Sequence, residues 1–483
     1  MRCSPGSSSP RYQMLVMNPG FFMPYTFKVI RHKSNNKVHT KKGVELKIVN
    51  PNAAGIDIAD TEIQVCVPAD RDGENNRRFG SFTCDLKLIS EWLRDCGITT
   101  VAMEATGIYW IPLFFKLEAD GIDVQLVNAR EVKNISEKKT DEADAEWLML
   151  LHSYGLLKPS FQPENSARQV RNLCRHRNKL LRAAAKEVQH MQKAMEQMNI
   201  KLTNVLSDIV GKSGKAIISA ILYGNHDPES LAQLADGRCK RSKADIALSL
   251  EGTWDADHLF ELKQSHELYE FYQKKVEECD GEIEKLLEKF TAKIDVDKAN
   301  LVRCEKTICK KNAVGFDVES YAYGIWGVNV MQIPGMSAGS VLQLMGELGS
   351  DFVEKFETPA KFCKWCNIVP NNRISGGKLI SSRVPKRKNP VGQVFRMCAN
   401  ATRDMKNPMG FYFRRLKSRG GHMSAIVATA HKIAEIFYIM VKNKVAYDES
   451  KVGLCEEELL KRKIERAQKT LDALNAKLYG TAS

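Results

Sequence analysis

Four acidic residues in three short motifs are placed where phosphoryl-transfer chemistry would use them: Asp57 in GIDIAD, Glu104 in VAMEATG, and Asp141 and Asp144 in KKTDEADAEWL. Two-metal phosphoryl transfer needs carboxylates converging from different elements, because ions held about 4 Å apart must clamp both the attacking and the leaving oxygen. Asp57 lies between Ile56 and Ile58, which a strand turns to the opposite face, so its charge interrupts a segment built for burial. Such a charge is costly unless it is paired or ligates a metal. Glu104 is followed by small residues that leave room around it. Asp141 and Asp144 are three apart on a helical pattern, which puts both on one face, where like charges repel unless a cation sits between them. The competing reading of this pair is a solvated first helical turn stabilised by the macrodipole. Oxygen-only ligands point to Mg²⁺ or Mn²⁺.

A second chemical feature is RISGGK, in which Ser375 is flanked by Arg373 and Lys378, with Arg383 beyond. The cations can neutralise a phosphate, and Gly376 and Gly377 let backbone approach it without a side-chain clash. A serine hydroxyl is a poor nucleophile until a metal or neighbouring cations activate it. Read from its residues alone, the segment is as well described as a basic, glycine-containing loop that grips DNA, and Ser381 and Ser382 are rival hydroxyls.

The elements that must position these groups follow from pattern. GIDIAD, TEIQVCVPA and RFGSFTC read as three strands joined by hairpins, followed by a helix over Leu86 to Asp95, a fourth strand TTVAMEA, a helix GIYWIPLFFKLEAD and a fifth strand DVQLVNA. Three strands and then strands alternating with helices is the order of an α/β RNase-H-like mixed sheet. In it the first and fourth strands are neighbours, so Asp57 and Glu104 can meet. Beyond Asp141 the chain reads as helical, with two long runs, RQVRNLCRHRNKLLRAAAKEVQHMQKAM and LFELKQSHELYEFYQKKVEECDGEIEKLLEKF. Their spacing suits an antiparallel or intermolecular coiled coil, or a plain helical hairpin. A mainly α-helical part follows. It opens on VMQIPGMSAGS, whose Pro334–Gly335 turn into a helix resembles a helix-hairpin-helix turn able to hold a phosphate. The expected division is a basic arm over 1–49, a carboxylate domain over 50–160, a helical coiled-coil arm over 161–300, a serine-bearing domain over 301–445 and a charged helical tail over 446–483.

Bulk properties agree. A chain of 483 residues predicts two or three domains, and 72 Lys and Arg against 58 Asp and Glu favour a polyanionic partner through counterion release. The 13 cysteines are odd in number and scattered, which suits a reducing cytosol. Cys363 and Cys366 form a lone CxxC, with Cys304 and Cys309 the other tight pair, too little for a zinc site. The apolar stretch from Met14 to Phe27 is broken by Asn18, Pro19, Gly20 and Pro24, so no membrane partner is expected. The first 45 residues read as a poorly ordered basic arm, or in part as an over-extended gene start with Met14, Met17 or Met23 as the initiator.

GIDIA, MEATGIYW and KTDEADAEWL, in this order and spacing, resemble the Asp-Glu-Asp-Asp domain of the one-ten family of bacterial insertion-sequence transposases, a relative of the RuvC resolvase. The IPGMSAGSVLQLMGELG, NIVPNNRISGG and ATAHKIAEIFY segments resemble that family's second domain. The resemblance covers most of residues 50–445 and leaves 204–257 and the tail unaligned. It implies that Asp57, Glu104, Asp141 and Asp144 hold Mg²⁺, with Mn²⁺ as a substitute, and that Ser375 attacks DNA to form a phosphoserine, then rejoins it without net hydrolysis. It further implies donor and target double-stranded DNA, a structured noncoding bridge RNA as guide, a homo-oligomer (dimer or tetramer), and a site in the bacterial cytoplasm at the nucleoid. Nucleic-acid contacts would come from Arg373, Lys378, Arg383 and the basic helix carrying Arg168, Arg171, Arg175, Arg177, Lys179 and Arg182, unless that helix is simply a solvated face. Two alternatives differ in chemistry: a structure-selective endonuclease in which the carboxylates activate water, and a non-enzymatic DNA-binding protein.

Overall fold

The computed structural model describes residues 47–128, 141–292, 301–304, 312–385, 389–453 and 456–479, so all but residues 47–49 of the expected basic arm, and Cys309, lie outside it. The chain divides into two compact units between Phe161 and Gln162.

The first unit holds β1 (Ala53–Ile58), β2 (Glu62–Cys66), β3 (Asn76–Gly80), α1 (Thr83–Asp95), β4 (Thr100–Glu104), α2 (Trp110–Ala119), β5 (Asp123–Val127) and α3 (Asp141–Ser153). Its sheet order is β3-β2-β1-β4-β5, with β2 and β3 antiparallel and β4 and β5 parallel to the strands they follow inward. This mixed sheet is the α/β RNase-H-like arrangement that the sequence pattern predicts. One face of it, with Ala54, Ile56, Ile58, Ile63, Val65, Val101 and Met103, packs with Leu86, Ile89 and Leu93 of α1 and Leu113, Phe114 and Leu117 of α2.

The third strand is shorter than RFGSFTC suggests. Asp85 turns back so that its carboxylate accepts a hydrogen bond from the Phe82 N–H at 3.0 Å, which caps the helix and starts α1 at Thr83. A Cβ on Gly80 would fall 2.4 Å from that carboxylate.

α3 covers the opposite face and runs antiparallel to β1. Its C-terminal end is tied to the start of the sheet: the Ser153 carbonyl accepts from Val49 and Asn50 N–H, and His152 Nε2 lies 2.9 Å from Thr100 Oγ1. Burial holds the His152 imidazole below its usual pKa of 6.5, the Asp123 carboxylate working against it. Because the folded state keeps the ring neutral, this contribution is complete above about pH 6.5 and is lost as pH falls towards the depressed value. The first unit is therefore expected to melt at lower temperature at pH 5 than at pH 7, and His152→Gln to flatten that difference; an unchanged pH dependence in the variant contradicts the assignment.

The second unit begins with α4 (Asn165–Gln197), α5 (Lys212–Leu222) and α6 (Ala256–Thr291). α4 and α6 lie antiparallel within one chain: Arg177 pairs with Asp280 near one end, while the Met198 carbonyl accepts from Thr253 N–H at the other. Residues 202–250, which overlap most of the segment 204–257 that the resemblance leaves unaligned, fold at the far end into short helices around Met191, Met195, Met198, Ile217, Leu231, Leu250 and Leu262.

Next come α7 (Val318–Trp326), α8 (Ala338–Leu348), α9 (Pro359–Trp365), the two-stranded β6 (Asn371–Ser375) and β7 (Lys378–Arg383), α10 (Pro390–Ala401), α11 (Pro408–Asn443) and α12 (Glu456–Tyr479). Trp326, Phe352, Phe362, Phe395, Phe437 and Tyr438 make a fully buried aromatic core. Among the described residues α11 is the one helix long and apolar enough to cross a membrane; half of its apolar window is buried, and Gly421 at φ 80° breaks it.

Candidate functional site

The parallel register of β1 and β4 runs from Ala53↔Thr100 to Ile56↔Met103, so Asp57 and Glu104 occupy the next position on each strand. By alternation both share the face of Gly55 and Ala102, the one α3 covers. Gly55 sets how closely: a Cβ there would lie 2.2 Å from the Ala145 carbonyl oxygen and 2.2 Å from the Met149 nitrogen, so helix backbone rests directly on the strand. Since α3 runs antiparallel to β1, its first turns, with Asp144, lie towards the strand ends that carry Asp57 and Glu104.

Asp57 is partly buried and Glu104 is 8% exposed. Asp57 Oδ1 accepts from the Ile58 N–H at 3.1 Å, and the Thr106 hydroxyl donates to Glu104 Oε1 at 3.1 Å. Asp144 is half-buried, and Asp141 opens α3, its side chain lying outside the described residues. The donor chemistry fits a hard divalent cation, although among the described residues no group of three or more His, Cys, Asp or Glu is gathered closely enough to hold one.

Sequence reasoning passed over two neighbours on this face. Gln64, opposite Asp57 in the β1–β2 register, is 5% exposed and donates to Asn76 Oδ1 at 2.7 Å. Cys66, opposite Gly55, has its thiol pushed up to about 12 by burial and by the Glu146 carboxylate. The signal for Gly55 was present in GIDIA, as a glycine inside a strand whose other residues are apolar except Asp57.

In the second unit, NNRISGGKLISSR is not a loop but an exposed hairpin. Gly376 and Gly377 take φ values of 55° and 75°, the left-handed pair of a tight two-residue turn, and Ser375 pairs with Lys378 directly across it. Every side chain from Asn371 to Ile380 is exposed, so no core periodicity marks the strands. Arg373 stands opposite Ser381 and Arg383 opposite Asn371, and a register shift falls between Arg373 and Ile374. Ser375 is thus at the tip, with Ser381 and Ser382 further down β7.

The base of the hairpin is fixed on both sides. Asn389 Nδ2 donates to the Trp365 carbonyl at 3.0 Å and Arg396 to the Asn367 carbonyl at 2.6 Å. Gly392 admits the Cys366 carbonyl where a Cβ would lie 1.9 Å away. Cys363 and Cys366 are buried beneath it, the Cys363 thiol raised to about 12 by that burial. The Pro334–Gly335 turn is likewise packed, Gly335 facing the Cys398 carbonyl at a Cβ distance of 2.3 Å, and Ser337 caps α8 through Ser340 N–H. A shallow cavity of about 170 Å³ adjoins this cap, lined by Ser337, Ser340, Gln343 and Asn178.

The expected basic face of α4 needs correction. Arg168 and Arg177 are 3% and 4% exposed, and Arg177 makes a buried bidentate pair with Asp280 while donating to the Ala313 carbonyl. Removing one partner of such a pair costs about 3–5 kcal/mol, so Arg177 holds the two helices together, and Arg168 is buried rather than solvent-facing. Burial lowers the Arg171 guanidinium to about 10 against the pull of Glu347, and Arg171 donates to Gln162 at 3.1 Å. Arg175 is exposed but grips Glu347 through two bonds of 2.8 and 2.9 Å. The solvent-facing Lys and Arg are Arg175, Lys179, Arg182, Lys186 and Lys193, at helical spacing along one side.

Sheet order and carboxylate placement define the class: an RNase-H-like α/β domain with acidic residues at the ends of its central strands, followed by a helical unit bearing a basic, serine-tipped hairpin. Comparison with known families makes this specific. Residues 54–200 match the family model DEDD_Tnp_IS110, a transposase, and residues 328–413 match the Transposase IS116/IS110/IS902 family. These two transposase domains imply an enzyme that cleaves and rejoins DNA, and the first suggests a divalent-metal requirement. No curated protein matches the chain.

Proposed function

We propose that this protein is a DNA transposase that cleaves and rejoins strands through a phosphoserine, guided by a structured noncoding bridge RNA and acting as a homo-oligomer at the bacterial nucleoid. The observation that carries the reading is the adjacent register of Asp57 and Glu104 on parallel strands, under a helix seated by Gly55. Asp57, Glu104, Asp141 and Asp144 would hold Mg²⁺ or Mn²⁺, which when bound supplies Lewis-acid stabilisation of the attacking and leaving oxygens.

In the reaction the Ser375 hydroxyl oxygen bonds to the scissile phosphorus as the bond to one DNA oxygen breaks, and the serine proton passes to solvent or a base. A DNA hydroxyl from the new partner then attacks the phosphoserine, restoring Ser375 and leaving no hydrolysed end. Arg373, Lys378 and Arg383 neutralise the phosphate, and hairpin exposure suits a nucleophile that must reach into bound DNA. The exposed cations of α4 are available to RNA backbone.

The test is Mg²⁺-dependent cleavage of labelled junction DNA, with RNA transcribed from the element's flanks. Ser375→Ala is expected to lower strand cleavage by about 10³-fold or more while leaving DNA binding intact. Cleavage that survives the substitution and yields hydrolysed ends supports the second reading, a RuvC-like endonuclease in which the carboxylates activate water.

A further inference from the structure

α12 lies beyond both matched segments and the core of the second unit. From Leu460 to Leu478 every residue is exposed. Its apolar residues are not scattered: Leu460, Ile464, Ala467, Leu471, Leu474 and Leu478 follow one another at spacings of four, three, four, three and four. The five larger side chains are 51–69% exposed. An ordinary surface helix drifts off such a 3.5-residue repeat, whereas a helix supercoiled on another helix keeps it.

We propose that α12 is a self-association seam, pairing in parallel and in register with the same helix of a second copy of this chain. Ile464, Leu471 and Leu478 then fall at a positions, and Leu460, Ala467 and Leu474 at d positions, the β-branched and leucine mixture that two-stranded coiled coils accept. The flanking residues are self-complementary. Across a parallel pair, each g position meets the e position of the next heptad, which joins Lys463 to Gln468 and Thr470 to Asn475, with no like charges opposed. The seam rests on this pattern and exposure, so it stands whether or not the chain cuts DNA.

The test uses full-length protein in which Cys3, Cys84, Cys309 and Cys455 are replaced by serine, with one new thiol added on α12. Ala467→Cys, on the seam, is expected to form a disulfide-linked dimer about tenfold more readily than Lys469→Cys, which points away from it. Adding Leu471→Lys and Leu474→Lys should return Ala467→Cys to the Lys469→Cys level, with an unchanged melting temperature because these leucines are 51% and 58% exposed and absent from the core of the described residues. Equal cross-linking at the two positions, or cross-linking indifferent to the paired lysines, overturns the proposal.

Discussion

Gly55→Ala is expected to lower DNA cleavage by about 10²-fold or more although it alters no carboxylate. The added methyl would fall 2.2 Å from both the Ala145 carbonyl oxygen and the Met149 nitrogen, and these are backbone atoms that no rotamer change can move aside. α3 must lift off β1 by roughly an ångström or more. Overpacking of this kind costs about 1–3 kcal/mol, and a comparable misplacement of catalytic groups costs about 10²-fold in rate. The expected pattern is a folded first unit of lowered melting temperature and cleavage reduced by at least that factor. Wild-type cleavage by Gly55→Ala would show that the seating of α3 does not matter to the chemistry.

The second large effect concerns charge without shape. Asp57→Asn keeps the side-chain volume and can still accept from the Ile58 N–H, yet it removes one negative charge beside Glu104. If these groups jointly hold a divalent cation, cleavage at saturating DNA should fall by about 10³-fold, while DNA affinity changes little. The like charges of Asp57 and Glu104 also repel in the absence of a cation, so the same variant should match or exceed the wild-type melting temperature in chelator. Added Mg²⁺ should stabilise the wild type more than the variant. A variant that responds to Mg²⁺ as the wild type does would remove Asp57 from the metal site.

What the sequence disclosed and what it concealed divide along the length scale of the interaction. Alternation around Asp57 and the order of strands and helices are local patterns, and they led to the β1–β4 adjacency that the sheet contains. The start of α1 was misjudged because Asp85 acts as a cap from inside the helix, a role that apolar periodicity does not register. The Ser375 hairpin was read as a loop for a related reason. Both faces of its strands meet solvent, so neither carries an apolar repeat, and its two glycines signal only a turn. Arg177 belongs to the expected basic surface by composition, but its burial depends on Asp280, more than a hundred residues away, and no local pattern marks Arg168 as buried. Gly55 was visible as a residue but not as a contact, since its role exists only once α3 lies against it.

The most direct test of the account is to trap the reaction of wild-type protein with junction DNA, Mg²⁺ and guide RNA under denaturing conditions, digest it, and locate any nucleotide-bearing peptide by mass spectrometry. The account predicts a single modified peptide containing RISGGK, with the phosphodiester on Ser375, absent from Asp57→Asn and Ser375→Ala reactions. Cut DNA with no modified peptide, or an adduct on Ser381 or Ser382, would contradict it.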